Sequence, residues 1–337
     1  LDELEKMAVR HGKTVRYQVA YNKPLEVERS ALHVSIPENE ALGRPALDGL
    51  KTMAAAAHLG RKGRYSFECA AEFGNAYGQS YEDLLWWVKR SLMAGMNAQV
   101  LHGGSYSGKY EGKYAVNGQI PGVRWPGYDG FYRAISNDWN RTPSVEDARG
   151  CLDAVARLNA VFRKNAKVDC AILKNTYCND GLGSEFHHYP DDGKLLNCGY
   201  SYEFLSDAML ELPVCKVTNG KLDEAGPAYK CLIIDGETYL STAFLERIYI
   251  LAADGLPIIW IGERPVGSRY HSESNAEEKM DAWKRALDRG WNAPGVTHLE
   301  SREEVPKMLQ YLGVLPEVML DGTKDVMPAV HEDETTR

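Results

Sequence analysis

The sequence predicts an α/β protein made of (β/α)8-type barrel units followed by a flavodoxin-like, doubly wound α/β domain. Three observations lead there. An amphipathic helix, a glycine and a short apolar strand recur in that order: LEKMAVRHG then TVRYQVAY, LKTMAAAAHLG then RYSFE, LLWWVKRSLMAG then AQVLHGG, FLERIYILAADG then LPIIWIG. A helix that ends on a left-handed glycine and feeds a buried strand is the mark of a parallel βα unit. Four strands, at about 14–21, 31–37, 64–68 and 98–102, precede residue 166, which is half of a (β/α)8 barrel. From Lys167 four more apolar strands, VDCAIL, KCLIID, LPIIWIG and VTHLE, alternate with helices at about 200–211, 241–254 and 276–289, as an open doubly wound sheet requires.

The helix starts agree with this division. Ser80-Tyr-Glu-Asp83 and Ser144-Val-Glu-Asp147 each put a hydroxyl at the N-cap and a carboxylate three residues on, the Asp form of a capping box. Leu84, Val88 and Leu92 then share one helical face, as do Leu152, Val155, Leu158 and Phe162 in a helix at about 144–165. The reading gives a barrel portion with the catalytic cleft over 1–166, the flavodoxin-like domain over 167–325, and a polar, frayed tail over 326–337. The chain begins at Leu1 rather than Met, and half a barrel needs the other half, so a companion N-terminal segment or a homo-oligomer is expected.

Composition removes several functions. With 337 residues, 44% hydrophobic and 26% charged, the chain can bury two ordinary cores. A net charge of −8 and a pI near 5.7 leave no basic stripe for nucleic acid. No apolar run reaches the roughly 20 residues of a membrane span. Neither a G-x-G-x-x-G nor a P-loop is present, so no nucleotide or flavin is expected. Cys69, Cys151, Cys170, Cys178, Cys198, Cys215 and Cys231 are odd in number and never spaced C-x-x-C, which suits free thiols in a reducing compartment, the cytoplasm.

Polar side chains at the carboxyl ends of barrel strands face the substrate. Glu68 ends RYSFE, Glu72 follows four residues on, and His102 ends AQVLH. Glu38 and Glu40 lie in PENEA, where a solvated turn beside Pro37 competes with a site role. Paired carboxylates at a barrel mouth point to glycoside hydrolysis, one protonating the leaving oxygen and the other activating water or attacking. Glu68 and Glu38 are the catalytic candidates. After His102 a loop of about forty residues carries Tyr106, Tyr110, Tyr114, Trp125, Tyr128, Phe131, Tyr132 and Trp139, with Arg141 beyond. Aromatic faces pack on the C–H faces of sugars, so His102, Tyr106, Trp125, Trp139, Arg141 and Glu72 are the substrate-binding candidates and a carbohydrate is the expected partner. His187-His188 with Glu185, Asp191 and Asp192 lacks the fixed spacing of a metal site and reads as an exposed polar loop.

The runs IPENEAL, LDGLKTMAAAAHLGRKGRYSFECAAEFG and DLLWWVKRSLMAGMNAQVLHGGSYS together resemble the core of glycoside hydrolase family 106, the α-L-rhamnosidases. The likeness extends through DWNRTPSVEDARGCLDAVARLNAVF into the amidotransferase-like α/β domain that follows the barrel in that family, over roughly residues 5–265. Cys69, Ala70 and Ala71 replace the family's aromatic and threonine after the A-E pair. The resemblance implies an inverting hydrolase assisted by calcium. Glu68 resembles its general base at the end of strand seven, and Glu38 or Glu40 its strand-six carboxylate near the calcium, with Glu40 taken as the metal ligand. The family's proton donor, near strand four, would precede Leu1. Two other readings stay open: a retaining β-galactosidase-type barrel with Glu68 as nucleophile, and a carbohydrate-binding fragment that lacks its acid.

Overall fold

The computed structural model describes residues 1–19, 26–42, 46–72, 78–102, 145–174, 189–190, 193–320 and 326–336. Its first sheet is formed by β1 (Arg16–Gln18), β2 (Ile36–Leu42), β3 (Ser66–Ala71) and β4 (Ala98–Leu101), parallel and side by side in chain order. Sequential parallel pairing follows from the repeated helix–turn–strand units, because each crossover returns the chain next to the strand just made. Between β3 and β4 the helix Tyr81–Met93 starts on the expected capping box: the Ser80 amide donates to Asp83 at 2.9 Å and the Asp83 amide to Ser80 Oγ at 3.2 Å. Leu84, Val88 and Leu92 are all buried on its inner face, with Trp87 against Phe67 of β3 at 6.0 Å between ring centroids.

Three of the four helix-ending glycines are left-handed, Gly12, Gly95 and Gly255. The fourth is not. Gly60 keeps a negative φ, and a β-carbon there would meet Ala56 O at 2.7 Å; the left-handed residue is Arg61, at φ 51°.

Beyond β5 (Asn165–Lys167) the second sheet collects β6 (Cys170–Leu173), β7 (Tyr202–Leu205), β10 (Cys231–Asp235), β11 (Ile258–Ile261) and β12 (Val296–Leu299), with a small hairpin of β8 (Val217–Thr218) and β9 (Lys221–Leu222) between. All five run parallel in the order β7-β6-β10-β11-β12. β6, β10 and β11 are nearly continuous apolar runs, which is what burial on both faces demands. The chain's last strand, β13 (Val330–Glu332), pairs antiparallel with β5. Lys164 with Asp333 and Lys167 with Glu332, each at 3.0 Å, add ion pairs to that return.

One apolar core runs beneath both sheets, from Val88 and Phe67 to Leu232 and Leu251, and a second lies on the other face of the second sheet, around Ile172, Ile233, Ile259 and Leu309. A buried polar seam crosses the first. Lys51 Nζ donates to the Tyr202 carbonyl at 2.7 Å, the Tyr202 hydroxyl to Asp48 at 2.6 Å, His58 pairs with Glu203 at 2.7 Å, and the Tyr229 hydroxyl donates to Glu203 at 2.6 Å. Burial by itself would raise the Glu203 carboxyl; the His58 charge and the hydrogen bonds from His58 and Tyr229 overcome it and hold the group below its ordinary value. Burial likewise opposes the His58 imidazolium, and Glu203 raises its pKa in spite of that.

Three local expectations are corrected. The segment 200–211 is not a helix: Tyr202–Leu205 is the edge strand β7, followed by a 3-10 turn at Asp207–Glu211. Every residue of YEFL is buried, so the run has no amphipathic face to roll on. The strand expected at 31–37 begins later, at Ile36, because Val27–Leu32 is helical. The tail is not simply frayed, since Val330–Glu332 is in a ladder.

Candidate active site

Alternation along parallel strands decides which side chains meet. Tyr17, Phe67, Cys69 and Leu101 turn to the helices and the core. The opposite face of the same sheet carries Arg16 and Gln18 from β1, Glu38 and Glu40 from β2, and Ser66 and Glu68 from β3. Register sorts them into two rungs: Gln18, Glu38 and Ser66 lie side by side, and Glu40 and Glu68 pair one rung nearer the carboxyl ends of the strands. Glu38 and Glu40 are therefore strand residues, not turn residues. Three carboxylates on one face of a four-stranded sheet are costly unless each is partnered or protonated.

Each acid has a different setting. Glu38 is 3% exposed, accepts a hydrogen bond from Ser66 Oγ at 2.6 Å and has Arg16 Nε at 3.3 Å. Burial raises its pKa; Ser66 and Arg16 pull the other way, and the charge of Glu68 adds to the rise. Glu68 is half-buried, and its Oε2 accepts from Gln18 Nε2 at 2.7 Å. That bond passes over β2, so the sheet curls toward the acidic face. Glu40 is buried, with its backbone amide donated to Asn39 Oδ1 at 2.8 Å.

Just past Glu68 the backbone is strained. Ala70 has φ 70° and the β2–β3 register slips between Glu40 and Leu42. A left-handed alanine costs roughly 1–2 kcal/mol, and such residues concentrate where a strand end is re-aimed at a site. The strand also brings His102 to its neighbour: the His102 amide donates to the Cys69 carbonyl at 3.0 Å. Cys69 itself faces the core, where burial and then the Glu68 charge push its thiol up to about 12, which makes it inert. Glu72 lies beyond the strand end and accepts from Gln79 Nε2 at 3.4 Å.

The structure thus gathers Glu68, Glu38 and Glu40 on one face and sets His102 beside the strand that holds Glu68. Tyr106, Trp125, Trp139 and Arg141, and the polar loop with His187 and His188, lie outside the described residues. Sequence reasoning missed Gln18, Arg16 and Ser66. Their signal was the polar–apolar alternation of RYQ and of YSFE in strands that a barrel would otherwise fill with apolar side chains. Among the described residues no group of three or more His, Cys, Asp or Glu could hold a metal ion. No described helix is long and apolar enough to cross a membrane.

Comparison with solved structures adds the context of this sheet. Over 98% of its length the chain superposes on a rhamnosidase from Novosphingobium sp. PP1Y with a TM-score of 0.73, at 16% identity. The two share a fold. The chain spans 32% of that rhamnosidase, about a third of its length. The GH42 beta-galactosidase Gan42B (TM-score 0.46, 13% identity, 78% of this chain and 39% of that one) and the cold-adapted beta-galactosidase of Rahnella sp. R3 (0.44, 12%, 76% and 37%) are more distant. No protein-family model and no curated protein matches the sequence.

Proposed function

We propose that this chain carries the base side of a glycoside hydrolase acting on a terminal rhamnose-like sugar, with Glu68 as the group that activates water. The carrying observation is the acidic face itself, on which Glu68 is oriented by Gln18 and backed by Glu38. In this reading the first sheet is four units of a (β/α)8 barrel, its acidic face the lumen, and the second sheet is the flavodoxin-like domain behind it. The fold shared with a rhamnosidase supports that reading.

Burial separates the two acids in this reading. Two neighbouring carboxyls share their charge unequally, and the one that is more desolvated keeps the proton. Glu38 is the more deeply buried of the pair and one rung deeper, and burial raises its pKa, which leaves Glu68, nearer the carboxyl end of its strand, as the more open of the two. In this reading the half-buried Glu68 carboxylate, near the carboxyl end of its strand, takes a proton from water attacking the anomeric carbon. Gln18 fixes which oxygen is free to do so. Protonation of the leaving oxygen falls to a group across the sugar, as inversion requires.

The test is turnover of an aryl α-L-rhamnoside with the first-formed anomer read by NMR. Release of the β-anomer supports this reading. Release of the α-anomer would make Glu68 a nucleophile in a retaining reaction, and saturable sugar binding without turnover would leave a carbohydrate-binding protein.

A further inference from the structure

The second sheet has a crevice of its own. Its strand order reverses between β6 and β10: the chain leaves β6 for β7 on one side and later enters β10 on the other. The loops part at such a point, and open parallel sheets bind small ligands beyond the carboxyl ends of the two strands there. A cleft of about 770 Å³ lies at that place, bounded by Leu173 and Lys174 at the end of β6 and by Asp235 and Gly236 at the end of β10. Small-molecule sites fall at roughly 300–1,000 Å³.

The lining says what kind of ligand fits. Arg302 Nε donates to Asp235 Oδ2 at 2.6 Å, and Arg269 donates to Glu26 at 3.0 Å with Asp207 at 3.5 Å. Lys174 is buried, its ammonium 5.6 Å from the Phe204 ring centre. Glu237 adds another carboxylate to the wall. Among the lining residues the three cations, Lys174, Arg269 and Arg302, are matched by three carboxylates, Glu26, Asp235 and Glu237, which leaves no net positive charge to hold a phosphate or a free carboxylate. What remains is a set of oriented donors and acceptors of the kind that vicinal hydroxyls satisfy. Two ring faces complete it: Tyr239 is 55% exposed and Tyr270 40%. Tyr239 is held in place by the short ladder between its loop and Gly267, with Leu240 N bonded to Gly267 O at 3.2 Å and Val266 N to Thr238 O at 3.0 Å. An aromatic face takes the C–H side of a pyranose while charged groups take its hydroxyls.

We propose that this crevice is a second carbohydrate site, which takes a neutral monosaccharide or disaccharide unit through Tyr239, Tyr270 and the paired charges of Asp235 and Arg302. None of its lining residues belongs to the acidic face of the first sheet, and it does not depend on hydrolysis there. A glycan long enough to reach both would be held at two points.

Calorimetry with methyl α-L-rhamnoside, methyl β-D-galactoside and cellobiose, together with crystals soaked in the same sugars, tests it. At least one of the three is expected to show density between Tyr239 and Arg302. The double variant Tyr239→Ala/Tyr270→Ala is expected to weaken that binding event at least about tenfold, equivalent to roughly 1.4 kcal/mol, while aryl rhamnoside turnover, if present, is unchanged. Arg302→Met, which leaves the rings in place, should weaken it as well. An empty cleft with all three sugars, binding unaffected by both variants, or binding of sodium glucuronate in preference to the neutral sugars would overturn the proposal.

Discussion

Gln18 Nε2 donates to Glu68 Oε2 at 2.7 Å from two strands away, across the whole width of β2. A bond of that span needs a concave sheet, and it ties the aim of Glu68 to the curl of the first sheet. Replacing Gln18 with Leu removes the donor at nearly constant volume. The expected result is a fall in kcat of about tenfold or more with KM changed little, because a base that wanders from its water loses rate before it loses substrate. A fall confined to KM would mean that Gln18 touches sugar and does not position Glu68.

The seam between the sheets predicts a pH window for stability. His58 is raised in the folded state, so its contribution is complete below its unfolded value near 6.5 and fades as pH rises through the folded one. Glu203 is depressed, so its contribution is complete above about 4.5 and fades as pH falls through its folded value. Both are present between about pH 4.5 and 6.5, where thermal stability attributable to the pair should peak. His58→Leu strands a buried carboxylate and should cost about 3–5 kcal/mol in that window, measured by urea denaturation.

Glu28 predicts a slope opposite to that of Glu203. It is buried, and desolvation pushes its carboxyl up to about 7, with Glu26 adding to the rise and Lys174 and Arg269 opposing it. A carboxyl raised in the folded state binds its proton more tightly there than in the unfolded chain. Its contribution is fully present below about 4.5 and is lost as pH rises through about 7. The loss is about 3 kcal/mol, from 1.36 kcal/mol for each pH unit. Glu28→Gln should therefore raise Tm at about pH 8 and change it little at about pH 5. Equal effects at both values would show that Glu28 is not titrating.

Arg61 and Asp223 form a two-pronged pair, at 2.7 and 2.5 Å, in which the guanidinium leaves a left-handed residue to reach the residue that follows β9. Gly226 makes room for it: a β-carbon there would sit 2.2 Å from Arg61 Nη1 and 2.4 Å from Asp223 Oδ2. Gly226→Ala should cost about 1–3 kcal/mol. In an Arg61→Ala background the part of that cost owed to the guanidinium should vanish while the clash with Asp223 remains, the non-additivity expected of groups in contact.

Much of this was legible in the chain because it is local. Ser80 and Asp83 cap their helix through a spacing of three, and Leu84, Val88 and Leu92 mark its buried face by period alone. Glu68 was legible as a carboxylate where an apolar residue belonged. What was not legible came from contacts distant in sequence. Glu203 sits inside the buried strand YEFL because His58, 145 residues earlier, and Tyr229, 26 residues later, partner it. Pro37 suggested a turn at PENEA, yet β2 runs through it, with Tyr17 and Pro37 in register. Gln18 is 50 residues from the acid it orients, and no spacing rule reaches that far.

The most direct test of the account is Glu68→Gln assayed on an aryl α-L-rhamnoside alongside calorimetric binding of methyl α-L-rhamnoside. Loss of the proton acceptor should lower kcat by a factor of about 100 or more, the low end of what a general base supplies, with sugar affinity within about threefold of the parent protein. Turnover that survives the substitution would contradict it.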